Sequence, residues 1–423
     1  MENARKTAVE ILCEIEKNSA YSNITLNKYL SKEISKNDKN FIYALVYGVL
    51  DRKITLDFII SKFVKKGADK IKPTTLNALR IGIYQLKYMD KIPSSAAVNE
   101  SVKIVKKSSE SYNSAFVNAV LRNYIRQGCL IPEDDSLKSM SVRLSCPEDL
   151  LKIFISDYGL AAAQELLSSF LSAPPIYLRV NNLKITDEEL ISELLKSDIK
   201  TEKVFENCLK VISGEIDFDN NLLFKNGFFH IQDIASQKSI EKFSVSKNDR
   251  ILDMCSSPGG KAFTMAQIIC DKGSITACDI YEKRTELIKK GAKRLGINCI
   301  NARVSDATVF DPELGLYDKV LCDVPCSGLG VIRRKPEIKY KKTEYKTKLE
   351  DIQFAILQNA DKYLRPGGSL MYSTCTLKKS ENEDIIKSFL DKYPAYELQY
   401  YHTYLPHDDG TDGFFCALMK KSR

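Results

Sequence analysis

Short apolar segments alternate with helical segments in the last part of this 423-residue chain, and this alternation limits the folds open to it. Helical patterns such as Glu282–Leu295 and Leu349–Leu364 lie between the apolar segments. Strands that alternate with helices form a mostly parallel, doubly wound sheet, and such sheets bind ligands outside the carboxyl ends of their strands. The predicted strands are Arg250–Met254, Ser274–Cys278, Ile300–Val304, Lys319–Cys322 and Ser369–Ser373.

The regions before this α/β domain have other patterns. Apolar residues recur every three or four positions in the first third, for example Leu76, Leu79 and Ile83, which is the period of an amphipathic helix. Strand-like and helix-like segments follow Pro174 and Pro175. We therefore predict an all-helical domain at 1–130, a helical linker at 131–172, a small α+β module at 173–235 and the α/β domain at 236–423.

Positive charge is concentrated in the first third of the chain. Residues 1–130 hold 22 basic and 12 acidic side chains, whereas the whole chain has a net charge of +8. Such an excess favours a polyanionic partner, most often a nucleic acid, over a merely solvated lysine-rich surface. A second basic stretch, residues 333–348, contains Tyr340 and Tyr345. We interpret it as a second nucleic-acid contact, because lysines can bind phosphates and aromatic rings can stack on bases.

Membrane and secreted classes of protein fit the sequence poorly. The N-terminus lacks the apolar stretch of a signal peptide, and the longest near-apolar run, Phe41–Leu50, is too short to cross a bilayer. The 12 cysteines are spread through a long chain, so we expect reduced thiols rather than a disulfide scaffold. We expect a cytoplasmic monomer.

A glycine-rich turn follows the first strand of the predicted sheet, between Asp253 and the next helix. Glycines let a ligand approach the backbone, and a helix N-terminus offers free N–H groups. The next two strands end near Asp279 and Asp306, and an acidic residue at the first of these positions is placed to bind ribose hydroxyls. The turn residues are Cys255, Ser256, Ser257, Pro258, Gly259, Gly260 and Lys261.

Two cysteines follow the last two predicted strands. Cys326 lies in the motif Asp323–Gly328, and Cys375 lies in the motif Ser373–Thr376. Neighbouring parallel strands end at the same edge of a sheet, so both thiols are candidates for a catalytic nucleophile. Their spacing alone does not choose between them. The three histidines show no metal-ligand spacing, and we predict no metal.

This set of motifs resembles the RNA 5-methylcytosine methyltransferases that use S-adenosylmethionine. The shared motifs are Asp253–Lys261, Asp323–Gly328 and Ser373–Thr376, and the block Asp412–Phe415 also matches. The N-terminal third is similar to NusB-type helical RNA-binding domains. That combination is typical of the RsmB family, also called Sun or Fmu. The resemblance implies an all-α NusB-like domain, a small α+β module and a C-terminal Rossmann-like methyltransferase domain.

The resemblance also implies a reaction and its residues. The expected product is 5-methylcytosine at cytosine 967 of 16S ribosomal RNA, with S-adenosyl-L-methionine as methyl donor. Cys375 is implied as the nucleophile that adds to carbon 6, and Cys326 as the group acting when the product is released. The cofactor is expected at Cys255–Lys261, Asp279, Asp306 and Asp323.

Two alternatives remain open from the sequence. One is a 5-methylcytosine methyltransferase that acts on transfer RNA or another RNA, since the catalytic motifs are the same. The other is an RNA-binding assembly or antitermination factor whose methyltransferase fold has decayed, although neither cysteine nor the glycine-rich turn is lost. A DNA cytosine methyltransferase fits less well, because it would lack the motif around Cys375.

Overall fold

The computed structural model describes residues 4–30, 34–65, 67–218, 220–341 and 349–423. The chain divides into two compact units. The first unit comprises Met1–Ser172 together with Ile332–Glu344. The second comprises Ala173–Val331 and Tyr345–Arg423. The described residues 332–341 therefore belong to the first unit, whereas the residues before them and residues 349–423 belong to the second. The sequence analysis did not predict this excursion.

The first unit is helical. Its central helix, α5, begins at Pro73, where a missing N–H costs nothing, and most of its side chains are buried. A Cβ at Gly82 would lie 2.8 Å from the side chain of Leu121, so glycine permits close packing of α5 against α7. The helices are α1 (Ala4–Asn18), α2 (Ser22–Leu30), α3 (Lys36–Asp51), α4 (Lys53–Lys62), α5 (Pro73–Tyr88), α6 (Ser94–Lys106), α7 (Ser114–Gln127), α8 (Leu137–Leu144), α9 (Glu148–Tyr158) and α10 (Leu160–Ser169), with short 3-10 turns at Ala68–Lys70, Ser111–Asn113 and Pro336–Tyr340.

The excursion 332–341 is bonded to α2 and α3 through polar side chains. The carboxylate of Glu337 accepts hydrogen bonds from the N–H (3.0 Å) and the Oγ (2.9 Å) of Ser22, at the start of α2. Lys339 is only 1% exposed and donates to the carbonyl of Asp51 at 2.8 Å. The hydroxyl of Tyr340 donates to the carbonyl of Leu50 at 2.8 Å.

The interpretation of residues 333–348 as a nucleic-acid contact is therefore wrong for Lys339 and Tyr340. Lys339 is buried, and its Nζ lies 3.6 Å from Oδ1 of Asp51, so both side chains serve the fold of the helical unit. Tyr345 lies outside the described residues.

The second unit begins with a small antiparallel sheet. Its helix α11 starts with a capping box, in which the side chains of Thr186 and Glu189 each bond the backbone of the other residue. The strand order is β2-β3-β1-β4. The elements are β1 (Tyr177–Val180), α11 (Asp187–Leu195), β2 (Lys200–Phe205), β3 (Cys208–Ser213), α12 (Leu222–Lys225) and β4 (Phe229–Ile231).

The larger sheet of the second unit has the strand order β10-β11-β9-β8-β5-β6-β7. The five strands from β9 to β7 run parallel, whereas β11 runs antiparallel to β9 and β10 antiparallel to β11. The elements are α13 (Ile234–Phe243), β5 (Arg250–Asp253), α14 (Gly260–Ile268), β6 (Ser274–Asp279), α15 (Glu282–Leu295), β7 (Ile300–Val304), β8 (Tyr317–Asp323), α16 (Glu350–Tyr363), β9 (Leu364–Thr374), α17 (Glu383–Lys392), β10 (Tyr396–Tyr404), α18 (Pro406–Asp409) and β11 (Phe414–Lys421).

The predicted doubly wound sheet is confirmed, and its five predicted strands are its parallel core. Because β6 and β7 follow β5 on one side while β8 and β9 lie on the other, the strand order reverses between β5 and β8. Ligands bind at such a switch point. The two antiparallel strands at the sheet edge were not predicted. Helix α17 begins at Glu383, and Oγ of Ser380 donates to the carboxylate of Glu350 at 2.7 Å.

None of the described helices is both long and apolar enough to cross a membrane.

Candidate active site

The glycine-rich turn between β5 and α14 extends across the end of the neighbouring strand. Gly259 has a φ angle of 106°, and a Cβ there would come within 2.4 Å of the Phe263 ring, so a larger residue does not fit. The N–H of Ser256 donates to the carbonyl of Cys278 in β6 at 2.7 Å. The Oγ of Ser257 donates to the carbonyl of Arg284 in α15 at 3.1 Å. These bonds hold the turn over the ends of β5 and β6.

Asp253 ends β5 with a fully buried carboxyl group. Burial raises the pKa of Asp253 to about 7, and the negative charge of Asp323 contributes to the rise. The side chain of Ser256 and the backbone of Cys255 interact with the carboxyl group and act to lower its pKa. The switch point thus holds a buried acid that changes charge near neutral pH.

Replacing Asp253 by asparagine is expected to change how stability depends on pH. The folded pKa of about 7 lies above the unfolded value of roughly 3.9, so the contribution of Asp253 is full below the unfolded pKa and is lost as pH rises through 7. At roughly 1.4 kcal/mol per pKa unit, D253N should gain about 2 kcal/mol on the wild type between pH 5 and pH 8. Thermal unfolding without ligands measures this gain. A difference between D253N and the wild type that stays constant with pH would contradict this prediction.

Asp323 ends β8 and connects two other motif residues. Its Oδ2 accepts from Nζ of Lys261 at 2.8 Å, and its Oδ1 accepts from Oγ of Ser373 at 2.7 Å. Burial alone would lower the pKa of Lys261. The charge and hydrogen bond of Asp323, together with the charges of Asp253 and Cys375, outweigh burial and raise that pKa. Lys261 is therefore a stable cation among acidic groups.

The two predicted catalytic cysteines lie in direct contact. The Sγ atoms of Cys326 and Cys375 are 3.2 Å apart. The hydrogen bond with Cys375 and burial hold the pKa of Cys326 well above its usual range. Cys326 therefore keeps its proton. The strand register explains the meeting, because Asp323 pairs with Ser373 in the parallel strands β8 and β9 and each cysteine follows its strand end closely.

A third cysteine at this edge, Cys255, is in a different environment. Burial raises its pKa well above the usual range, and the charges of Cys322 and Asp253 add to this effect. Cys255 is therefore a neutral thiol.

The loops that carry Cys326 and Cys375 are held by buried polar residues that the sequence analysis missed. Glu381 has no exposed surface, and its Oε2 accepts from the N–H of Ser327 (2.9 Å) and from Nε2 of Gln353 (3.0 Å). The hydroxyls of Ser327 and Thr376 are 2.7 Å apart and join the two loops directly. The run of polar residues 378–384 around the start of an amphipathic helix was the available signal.

Asp279 and Asp306 lie at the same edge, but local bonds already engage them. Oδ1 of Asp279 accepts from the N–H of Tyr281 at 3.2 Å, and its Oδ2 lies 3.4 Å from Nε of Arg284. Oδ1 of Asp306 accepts from the N–H (2.9 Å) and Oγ1 (2.7 Å) of Thr308. The N–H of residue 305 donates to the carbonyl of Asp279 at 3.1 Å, which brings the two aspartates close together in the fold.

Within the described part of the chain, no group of three histidine, cysteine or acidic side chains could hold a metal ion. A mostly parallel sheet with antiparallel final strands, a glycine-rich turn at its switch point and acidic strand ends define the class of Rossmann-like methyltransferases. The paired thiols of Cys326 and Cys375 lie at the same sheet edge as the ion pair of Lys261 and Asp323.

Comparisons with known proteins agree with this class. A family model described as 16S rRNA methyltransferase RsmB/F matches residues 242–420. A NusB family model matches residues 2–126, and a model for a ferredoxin-like domain of RsmF/B-like methyltransferases matches residues 146–214. The chain belongs to the RsmB family of ribosomal RNA small subunit methyltransferases and is an S-adenosylmethionine-dependent RNA methyltransferase.

Relatives match this chain along nearly its whole length. The probable ribosomal RNA small subunit methyltransferase B of Bacillus subtilis is 35% identical, with 99% of each chain covered. Its counterpart from Synechocystis is 31% identical, with 100% of each chain covered. The crystal structure of PH0851 has a TM-score of 0.83 at 23% identity and covers 100% of this chain and 99% of its own. NSun6 from Pyrococcus horikoshii, solved with SFG, has a TM-score of 0.60 at 23% identity and covers 66% of this chain and 98% of its own.

The family resemblance and the three-part fold predicted from the sequence are thus confirmed. The exact domain boundaries and the roles of the individual site residues stay predictions.

Proposed function

We propose that the protein transfers a methyl group from S-adenosylmethionine to carbon 5 of a cytosine in 16S ribosomal RNA, at the position of cytosine 967. The reaction passes through a covalent bond between Cys375 and carbon 6 of that base. The observation that carries the proposal is the contact of two cysteine Sγ atoms at 3.2 Å beside the Lys261–Asp323 ion pair.

The switch point fits the methyl donor. S-adenosylmethionine, when bound, supplies a methyl group on a positively charged sulfur. Gly259 lets the turn pass close to the ring of Phe263, and the buried carboxyl group of Asp253 lies beside Ser256 at the switch point. Acidic groups suit a ligand with positive charges. We assign the cofactor to Cys255, Ser256, Ser257, Pro258, Gly259, Gly260, Lys261, Asp279, Asp306 and Asp323.

The two cysteines divide the chemistry. Carbon 5 of cytosine is a weak nucleophile, and a thiolate that adds to carbon 6 pushes electron density onto carbon 5, which can then take the methyl group. The proton on carbon 5 must then leave, and the carbon 6–sulfur bond must break to release the thiolate of Cys375. Cys326, in contact with Cys375, is placed to act at this second stage.

The raised pKa of Cys326 supports this division of roles between the two cysteines. Cys326 has its pKa well above the usual range because it bonds to Cys375 and is buried. A protonated Cys326 donates its S–H to Cys375, and that hydrogen bond stabilises a thiolate on Cys375. The nearby cation Lys261 acts in the same direction, because its pKa is raised in part by the charge of Cys375.

Ribosomal RNA is the substrate that the family membership favours over transfer RNA. The target base must leave its stack to reach the thiols, which costs a few kcal/mol and favours an unpaired cytosine. All proposed catalytic residues lie in one unit of one chain, so a monomer is sufficient. Because the proposed substrate is ribosomal RNA, the expected location is the cytoplasm.

Bisulfite mapping of ribosomal and transfer RNA with and without the gene tests the proposal. Loss of one 5-methylcytosine in 16S RNA supports it, and loss confined to transfer RNA contradicts it.

The proposed ribose contact can be tested separately. Because a carboxylate that binds two hydroxyls contributes charge-assisted hydrogen bonds, Asp279→Ala should weaken S-adenosylmethionine binding by roughly tenfold or more. Isothermal calorimetry measures this affinity. The matched control is Glu282→Ala, an exposed acid in the first turn of α15, which should bind like the wild type. Equal affinity for Asp279→Ala and the wild type would remove Asp279 from the cofactor site.

A further inference from the structure

The helical unit contains a cavity of about 540 Å³ between the end of α4 and the start of α5, which we call the α4–α5 cavity. Lys65, Lys70 and Lys72 line it, and no carboxylate is among its described lining residues. The nearest acid along the chain, Asp69, lies 3.2 Å from Nζ of Lys70. The cavity walls also contain the aromatic residues Phe63, Tyr112 and Phe116.

Tyr112 is presented to solvent on a firmly held turn. Its side chain is 64% exposed, which is unusual for a large aromatic ring. The residues around it are tied to α5: the buried carboxylate of Glu110 accepts from the N–H (2.8 Å) and Oγ1 (2.6 Å) of Thr75, and Nδ2 of Asn113 donates to the same Oγ1 at 3.1 Å. Nζ of Lys72 lies 5.3 Å from the centre of the Tyr112 ring. The hydrogen-bonded turn therefore holds the Tyr112 ring exposed to solvent, with the ammonium group of Lys72 beside it.

Exposed aromatic rings and lysines in one cavity match the chemistry of single-stranded RNA. A base stacks on an aromatic face regardless of its sequence, and lysines bind the flanking phosphates. The cavity is within the usual range of small-ligand sites. The excess of basic over acidic side chains in residues 1–130 attracts the same kind of partner. We propose that the α4–α5 cavity binds an unpaired nucleotide of the RNA substrate, with its base on Tyr112 and its phosphates at Lys65, Lys70 and Lys72.

This proposal rests on the proposed function only in taking RNA as the substrate. It is tested by binding alone, with full-length protein, no S-adenosylmethionine and a fluorescent 12-nucleotide single-stranded RNA followed by anisotropy. Tyr112→Ala should raise the Kd about tenfold, because it removes one stacked base. Tyr112→Phe should stay within about twofold, because the ring is kept. Replacing both Lys70 and Lys72 by alanine should lower the slope of log Kd against log salt by roughly one.

The control is Tyr401→Ala, which removes another exposed tyrosine, in β10 of the second unit, and should leave the Kd unchanged. Thermal unfolding checks that each variant is folded. An unchanged Kd for Tyr112→Ala would overturn the proposal. A cavity that binds a protein instead of RNA would give this result. An equal loss for Tyr112→Phe would overturn the stacking role. Failure of the wild type to methylate 16S RNA would overturn the proposed function and leave this binding result standing.

Discussion

Replacement of Cys375 by alanine should abolish methylation and also abolish any covalent protein–RNA adduct. If Cys375 forms the bond to carbon 6, its removal blocks the first chemical step, although the thiol of Cys326 that lies 3.2 Å away in the wild type is kept. The expected loss of rate is at least 1,000-fold, on the scale seen when a nucleophile is removed. Methyl transfer from labelled S-adenosylmethionine to 16S RNA measures the rate, and denaturing electrophoresis detects the adduct.

Cys326→Ala should give the opposite result in denaturing electrophoresis, with a covalent protein–RNA adduct present. This variant keeps the thiol that attacks but lacks the group beside it that acts at release, so the adduct should accumulate and survive denaturation. The reverse pattern, with an adduct in Cys375→Ala and none in Cys326→Ala, would assign the roles the other way round. Cys270→Ala is the control, because this cysteine is exposed. It should show neither the loss of rate nor the trapped adduct.

Lys261→Met should slow adduct formation by about 100-fold or more. The cation lies 2.8 Å from Asp323, and its raised pKa reflects the charges of Asp323, Asp253 and Cys375 around it. Without it the acidic groups repel one another and the thiolate loses a stabilising charge. Losses of 100- to 1,000-fold are typical when one such electrostatic contact is removed from a buried site. Single-turnover kinetics with saturating S-adenosylmethionine and RNA isolates this step from binding.

A second lysine variant provides the matched comparison. Lys290→Met removes an exposed lysine from α15 with the same change of charge and volume, and it should react at the wild-type rate. A rate for Lys261→Met within about threefold of that control would show that the ion pair with Asp323 is structural and takes no part in the chemistry.

Local sequence patterns were sufficient for the parts of the fold that depend on near neighbours. The period of Leu76, Leu79 and Ile83 predicted α5, and short apolar segments predicted the parallel strands, because both signals arise within a few residues. The motifs at the strand ends then predicted which residues share one edge. Since parallel strands end at a common edge, Cys326 and Cys375 were expected near each other before their contact was seen.

Residues far apart in sequence decided the rest. The basic composition of residues 333–348 suggested an RNA contact, yet Lys339 bonds Asp51, 288 positions away, inside the helical unit. Composition could not reveal this, because a lysine has the same local pattern whether it is solvated or paired with a buried acid. Glu381 was missed for a similar reason, since its role depends on Ser327 and Gln353 from other elements.

The sequence by itself thus determined the classes of element, the parallel core of the sheet and the edge that holds the reactive groups. Only the tertiary structure decided that the two thiols are in contact, which acids are already engaged and which lysines remain exposed. The physical reason is that charge, burial and hydrogen bonding at a residue are set by whatever packs against it, and most of those neighbours are distant in the chain.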